Sequence, residues 1–385
     1  MGIFFSSFNG LEPKIRFASF SENYIIHSIG DIFDERSERG SENLELLSVT
    51  MNDGVKKRTE IEGKDNSSEN KGNYKIVRIG DMVYNSMRMW QGANGISPYE
   101  GIVSPAYTVL KASTPLCNKY IGYLFKNSEL VNKFRKNSQG LTSDTWNLKY
   151  PQISTIKVNL PSLPEQEKIA AFLSLVDARI EKQRQLVEAL KKYKRGLLSA
   201  IFDRKLEFSS STWHSVALSE CCNGFDNLRK PISSELREKG TIPYYGANGI
   251  QDYVKDYIFD GEYILLAEDG GHFDDFTNSS IAQYITGKSW VNNHAHILQA
   301  KPGYNNKYIY YTLVHKDIRK YINGTSRAKL NQEDMWQIKI ITPDISTQNK
   351  IARFMSAIDE KISREEYNLF QLYKIKRGLL QQMFI

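Results

Sequence analysis

The sequence predicts an α+β protein built twice over. Two variable mixed domains are each followed by one long helix, and the helices pack on each other as an antiparallel coiled coil with pseudo-two-fold symmetry. Three observations predict this. Residues 156–202, IKVNLPSLPEQEKIAAFLSLVDARIEKQRQLVEALKKYKRGLLSAIF, recur without a gap as residues 338–384, IKIITPDISTQNKIARFMSAIDEKISREEYNLFQLYKIKRGLLQQMF, with every matched pair 182 residues apart. An internal repeat of this length constrains architecture more than local propensity does. Both copies carry the same helical apolar period, and the stretches between them repeat more faintly with a strand-like pattern.

Taken in order, the first domain is expected over residues 1–163, a helix over 164–205, the second domain over 206–345 and a second helix over 346–385. Near the front of each domain, YIIHSIGDIF at 24–33 resembles WHSVALSECC at 213–222. Short β-rich stretches at 74–77, 82–84, 107–110, 263–267 and 294–298 lie between glycine and asparagine punctuation. Within them VSPAYTVLKA at 103–112 matches VNNHAHILQA at 291–300, and NKYIGYLF at 118–125 matches NKYIYYTL at 306–313, both at an offset of 188. Helices are expected at 118–136 and 306–322. The polar segment 52–73 reads as a mobile loop, where binding specificity tends to reside.

The long helices announce themselves by spacing. Ile169, Leu173, Val176, Ile180, Val187, Leu190, Leu197 and Ile201 follow steps of four and three, interrupted by Gln183 and Lys194. Ile351, Met355, Ile358, Ile362, Leu369, Leu372, Leu379 and Met383 repeat the pattern, and Glu365 and Lys376 interrupt it at the same places. Matched interruptions predict a shared seam. Pro164 and Pro343 stand at or just before the starts, with Ser346 and Thr347 as expected caps of the second helix. At ~1.5 Å per residue a helix of about 40 residues is ~60 Å long, a spacer or docking rod. Gly196 and Gly378 sit where a helix prefers alanine and suggest close backbone approach.

Composition bounds the function. Of 385 residues, 51 are Lys or Arg and 44 Asp or Glu, a net charge of +7 that permits a polyanionic partner without requiring one. Hydrophobic residues at 41% and charged residues at 25% exclude wholesale disorder. Cys117, Cys221 and Cys222 form neither a CxxC zinc pattern nor a disulfide framework, which fits a reducing cytoplasm. No apolar run is long enough to span a bilayer, and MGIFFSSFNGLEPKIRF lacks an export pattern.

Catalytic motifs are missing. There is no Pro-Pro dipeptide of an adenine methyltransferase loop, no GxGxxG and no GxxxxGK[ST]. Pro343-Asp344 with Asp359-Glu360-Lys361 imitates a nuclease signature, but its second part falls inside the long helix and the other copy reads Pro161-Ser162 and Asp177-Ala178-Arg179. His294 and His296 could share one strand face as metal ligands; their matched positions are Ala106 and Thr108, which favours a structural or ligand-facing role.

PKIRF at 13–17, the twofold LPxxxEQxKIAxFLxxxDxxI…KRGLL block, IPYYGANGIQDYV at 242–254 and the doubled layout of the whole chain resemble the specificity subunit of Type I DNA restriction-modification systems. The second copy departs in carrying Ser346-Thr347-Gln348-Asn349 where the first has Pro164-Glu165-Gln166-Glu167. The resemblance implies a non-catalytic reader of double-stranded DNA. Two target recognition domains each contact one half of a split, asymmetric site, and the paired helices bind two methyltransferase subunits, to which two restriction subunits are added. It implies no cofactor on this chain: S-adenosylmethionine, ATP and magnesium belong to the partners. The competing class is a coiled-coil scaffold with two domains for peptide or carbohydrate, which the steep salt dependence of DNA binding would exclude.

Base readout needs amides and cations aimed at base edges, while hydroxyls and cations also grip phosphates. In the first domain these are expected at Asn85, Ser86, Arg88, Gln91 and Asn94 and in a second loop at Gln139, Thr142 and Ser143. In the second domain they are expected at Tyr245, Asn248, Asp269, His272, Ser326, Arg327 and Lys329, with GTSRAKLN at 324–331 the strongest segment. No catalytic or metal site is expected.

Overall fold

The structure, a computed structural model, describes the backbone of Ile3–Phe5 and residues 13–40, 43–51, 53–63, 65, 67–68, 70–208, 212–324 and 328–384. The α-helices among them are α1 (Ile29–Ile32), α2 (Asn118–Leu124), α3 (Ser128–Asn137), α4 (Tyr150–Ile153), α5 (Leu163–Phe202), α6 (Leu218–Cys221), α7 (Asn306–Leu313), α8 (Gln332–Trp336) and α9 (Ile345–Gln382). The chain divides into two compact units, residues 1–183 with 368–385, and residues 184–367. The division cuts through both long helices, so each unit holds one mixed domain, half of α5 and half of α9. The sequence boundaries, drawn at helix ends, differ because each half-helix packs into the core of the domain beside it.

In the first unit an antiparallel sheet runs Phe33–Glu35, Tyr107–Ala112, Met82–Asn85, Asn94–Ile96. Alternation along its strands sorts side chains to two faces. Met82, Tyr84 and Leu110 join α2, α3, the start of α5 and the end of α9 in one buried cluster, while Val83 and Val109 join Leu47, Val49 and Val55 in another. Leu47–Thr50 and Gly54–Lys57 form a hairpin, so the front of the segment expected to be a loop at 52–73 is a paired strand. The single helix expected at 118–136 is two, because Asn127 turns the chain and its carboxamide oxygen caps α3 by accepting from the backbone N–H of Glu129 and Leu130 at 2.9 and 3.2 Å.

In the second unit the same four-strand core recurs as Cys222–Gly224, Ala295–Ala300, Phe259–Ala267 and Ala282–Val291, extended by the hairpin Lys239–Gly246 and Gly249–Val254. Ile264, Leu266 and Leu298 face the cluster shared with Leu198, Ile201, Ile351 and Met355 of the long helices; Leu265 and Ile297 face a second cluster. The helix expected at 306–322 stops at Leu313, and a 3-10 turn follows at Arg319–Tyr321.

The seam residues Ile169, Leu173, Val176, Ile180, Val187, Leu190, Leu197, Ile351, Met355, Ile358, Ile362, Leu369, Leu372 and Leu379 are all buried or half-buried. Inside each unit the two half-helices run antiparallel, Asp177 of α5 pairing with Lys376 of α9 in the first and Lys194 of α5 with Asp359 of α9 in the second. The repeated glutamine explains itself in the same way. Gln166 donates to Pro161 O and accepts from Cys117 N, and Gln348 donates to Pro343 O and accepts from Asn305 N, so each fixes a helix start to its own domain. The cap of α9 is Asp344 rather than Ser346 or Thr347: its carboxylate accepts from the Thr347 N–H and hydroxyl at 3.0 and 2.8 Å.

Among the described residues Gly196 and Gly378 are not sites of close approach, since beyond the helix's own backbone a Cβ at either would meet no atom within 4 Å. A helical glycine with no neighbour to accommodate only loosens the helix. Gly196→Ala is therefore expected to stabilise the isolated chain by about 0.5–1 kcal/mol, read as a higher urea midpoint at unchanged slope.

Candidate nucleic-acid interface

Each unit builds a bracket of two loops at the same topological place. In the first, the strand Met82–Asn85 runs out into residues 86–92, and Leu148 N donates to Ser86 O at 2.9 Å, while Gln139 and Asn147 pair across the neck of a second loop. In the second, Leu330 N donates to Glu268 O at 2.7 Å, and Ile322–Asn323 pairs with Lys329–Leu330. Both matched pairs, Ser86 with Glu268 and Leu148 with Leu330, keep the offset of the helix repeat.

The first bracket gathers most of the side chains singled out in that domain. Asn85 is half-buried and opens the loop by accepting from Met87 N at 3.0 Å; Arg88 is exposed and Gln91 half-buried. Gln139, Thr142 and Ser143 are exposed on the second loop, whose turn requires Gly140: at φ +150° a Cβ there would lie 2.6 Å from Thr145 O. Ser86 and Asn94 are corrected to structural roles. Ser86 shares a buried hydroxyl bond of 2.8 Å with Thr108. Asn94 is fully buried and donates to Phe125 O and Gly92 O at 3.1 and 3.2 Å, so neither side chain is presented to solvent.

Sequence reasoning missed the stack that joins the two loops. Trp90 and Trp146 meet edge to face at 5.3 Å, and the Arg135 guanidinium lies 5.7 Å over the Trp146 ring. Beneath the loop, Lys126 donates to Gly92 O and Met51 O at 2.7 and 2.8 Å, and its burial pushes the ammonium pKa down to about 8.

The second bracket is ionic where the first is neutral. At the place of Ser86 and Thr108 stand Glu268 and His296. The buried His296 ring faces the Asp226 carboxylate through Nδ1 at 2.5 Å and donates through Nε2 to Leu330 O at 2.9 Å. Arg229 pairs with Glu268 and Asp226, and Lys329 pairs with Glu268 at 3.1 Å. Burial raises the Asp226 carboxyl, yet the bonds from His296 and Ile297 N and the charge of Arg229 leave it below its ordinary value. Asp226, Glu268 and His296 lie close enough together to ligate a metal, but their charge is met by Arg229 and Lys329.

Beside this network a cleft of about 400 Å³ is lined by Asn248, Gln251, Asp269, Gly270 and His294. Asn248 donates to Gly270 O at 2.8 Å, and Asp269 is bonded to the His294 ring, whose other edge is partly exposed. Asn248 and Asp269 are thus brought together, and His294, weighed from sequence as a possible metal ligand and not among the expected base readers, joins them. Tyr245 is half-buried against the Phe259–Ile297 cluster, and His272 is exposed on the following turn, outside the cleft. Lys329 is exposed but paired. Ser326 and Arg327 lie outside the described residues.

Fold and site together define a duplicated protein whose two domains present matched loop brackets of unlike chemistry. The model of the Type I restriction modification DNA specificity domain matches twice, over residues 22–192 and 210–371, and the chain belongs to that family. A Haemophilus influenzae protein named as a type I restriction enzyme specificity subunit is 41% identical over 156 residues, which is 40% of this chain and 39% of that protein. The chain therefore spans well under half of that relative. A second, from Methanocaldococcus jannaschii and named as the MjaX specificity subunit, is 22% identical over 353 residues, 82% of this chain and 80% of the relative. The solved S subunit of a Type I restriction-modification system from M. genitalium has the same fold, with a TM-score of 0.58 at 20% identity, covering 97% of this chain and 99% of that one. Among the described residues no helix is long and apolar enough to cross a membrane.

Proposed function

We propose that this chain is the non-catalytic specificity subunit of a Type I restriction-modification complex, reading a bipartite, asymmetric DNA site with one bracket per half. The observation that carries this reading is the pair of brackets, matched in topology and unlike in side chains: Arg88, Gln91 and the Gln139, Thr142, Ser143 loop in one, Asn248, Asp269 and His294 in the other. Matched scaffolds with different edges suit two different half-sites, and unequal halves make the site non-palindromic. The exposed apolar side chains of the long helices, Leu175 and Tyr193 on α5 and Tyr367, Phe370 and Tyr373 on α9, suit docking of two methyltransferase subunits and, through them, two restriction subunits. S-adenosylmethionine, ATP and magnesium then act on those partners in the cytoplasm.

Genome-wide mapping of methylated adenine, with and without the gene, tests the reading. Loss of methylation at one split motif is the expected result; an unchanged map together with DNA binding that ignores salt would overturn it. Arg88→Ala is expected to weaken cognate binding by about 1–3 kcal/mol and relax selectivity at one position of one half-site. An equal loss on all sequences would make Arg88 a phosphate contact, and no loss would remove it from the interface.

A further inference from the structure

The repeated aspartate and lysine of the helix block meet a tyrosine of the neighbouring domain, once in each unit. In the first, the Tyr123 hydroxyl of α2 donates to Asp177 of α5 at 2.7 Å, Lys376 of α9 pairs with the same carboxylate at 2.6 Å, and its ammonium lies 5.8 Å over the Tyr123 ring. In the second, the Tyr311 hydroxyl of α7 donates to Asp359 of α9 at 2.7 Å, Lys194 of α5 pairs with that carboxylate at 2.5 Å, and its ammonium lies 5.5 Å over the Tyr311 ring. Ser174 and Ser356 stand 3.4 Å from the respective phenols. One point in each unit thus ties three elements, the domain and both helices, with charge-assisted bonds whose directions are fixed. Burial and the facing carboxylate both push the phenols' pKa up, which keeps them donors.

The two junctions differ in what surrounds them. A cleft of about 980 Å³ lined in part by Gly122 lies beside Tyr123, whereas at the matched position Tyr310 stands next to Tyr311, which borders two smaller clefts of about 440 and 520 Å³.

We propose that the Tyr123–Asp177–Lys376 and Tyr311–Asp359–Lys194 junctions are positioning devices that fix the angle of each domain on its helices and so set the spacer length tolerated between the two half-sites. The inference rests on the DNA reading above. A reading head whose angle wanders meets half-sites at neighbouring separations, whereas its base contacts stay as they are.

The test uses the full chain and duplexes bearing the two mapped half-sites with the natural spacer and with one base pair added or removed. The unaltered chain is expected to prefer one spacer sharply. In Tyr123→Phe with Tyr311→Phe, which removes only the two hydroxyls, that preference is expected to fall by about tenfold, the factor one such hydrogen bond is worth, with selectivity within each half-site unchanged. Asp177→Glu with Asp359→Glu, which lengthens the carboxylate arm, is expected to shift the preferred spacer; if this pair fails to fold, the phenylalanine pair decides alone. An unchanged spacer profile in a folded variant would overturn the inference, as would equal loss of binding on every duplex. If the unaltered chain binds no split site at all, the DNA reading fails first and takes the inference with it.

Discussion

Arg16→Ala is expected to destabilise the first unit by about 3–5 kcal/mol, the cost of stranding a buried charge. Arg16 donates through Nε and Nη2 to the two oxygens of Glu165 at 2.9 and 2.8 Å; Glu165 has no exposed surface and Arg16 very little. The Tyr24 ring stacks 5.0 Å from the guanidinium and its hydroxyl reaches Glu165 at 3.3 Å. Without Arg16 the buried carboxylate at the start of α5 keeps, among the described residues, the neutral Tyr24 hydroxyl as its side-chain donor. The pair itself is not expected to be worth that sum, because desolvating both ions costs much of what their attraction returns. Arg16→Leu combined with Glu165→Leu is therefore expected to recover most of the loss. Urea unfolding with amide exchange resolved by unit provides the measurement. The second unit, where Thr347 stands at the place of Glu165 and bonds Asp344 instead, is expected to keep its protection. A single variant within 1 kcal/mol of the parent would mean that Glu165 sheds its charge or reaches solvent.

How much of this was legible in the sequence depends on whether the pattern or the partner carries the information. The long helices were legible to within a few residues, because Ile169, Leu173 and Ile180 must recur every three or four positions to stay on one seam, and their counterparts do so in the second copy. The doubled layout was legible for the same reason. Lys194 and Lys376 were visible as interruptions, but not what they bind: Asp359 and Asp177 come from the other helix, and the tyrosines from the domains. Gln166 and Gln348 were visible as a match, yet their partners Cys117 N and Asn305 N are 49 and 43 residues away. In the loops, composition predicted polarity and could not assign direction. Asn94 and Asn85 are chemically the same residue nine positions apart; one turns inward to satisfy Phe125 O, the other opens a surface loop. Trp90 and Trp146 carried no periodic signal, since an edge-to-face stack between two loops leaves none.

His296→Phe is expected to cost the second unit about 3–5 kcal/mol and to loosen its bracket before anything else. The ring is the hinge pin between sheet and loop: Nδ1 faces Asp226, which also accepts from Ile297 N, and Nε2 holds Leu330 O, whose own N–H is bound to Glu268 O. Phenylalanine fills the volume and makes neither bond. Asp226 and Glu268 then share Arg229 and Lys329 without the imidazole, and the segment 328–331 loses the tie from Leu330 O to the sheet while keeping Leu330 N on Glu268 O, the Lys329–Glu268 pair and its pairing with Ile322–Asn323. Amide exchange is expected to quicken across residues 322–324 and 328–332 while the first unit stays protected. The pH dependence follows from Asp226, whose folded pKa lies below its ordinary value. A depressed carboxylate contributes its stability above the unfolded pKa and loses it as pH falls through the folded one, so the unaltered chain gains stability as pH rises through that acid window. The variant, lacking the His296 bonds that hold Asp226 down, is expected to show most of that slope removed. The first bracket, built on the neutral Ser86–Thr108 bond, has no such slope to lose, and on the DNA reading the variant should forfeit selectivity in the second half-site alone. Unchanged exchange at 322–324 and 328–332, or equal loss in both half-sites, would show that the bracket is held by its backbone pairing and that the ionic network is not what shapes it.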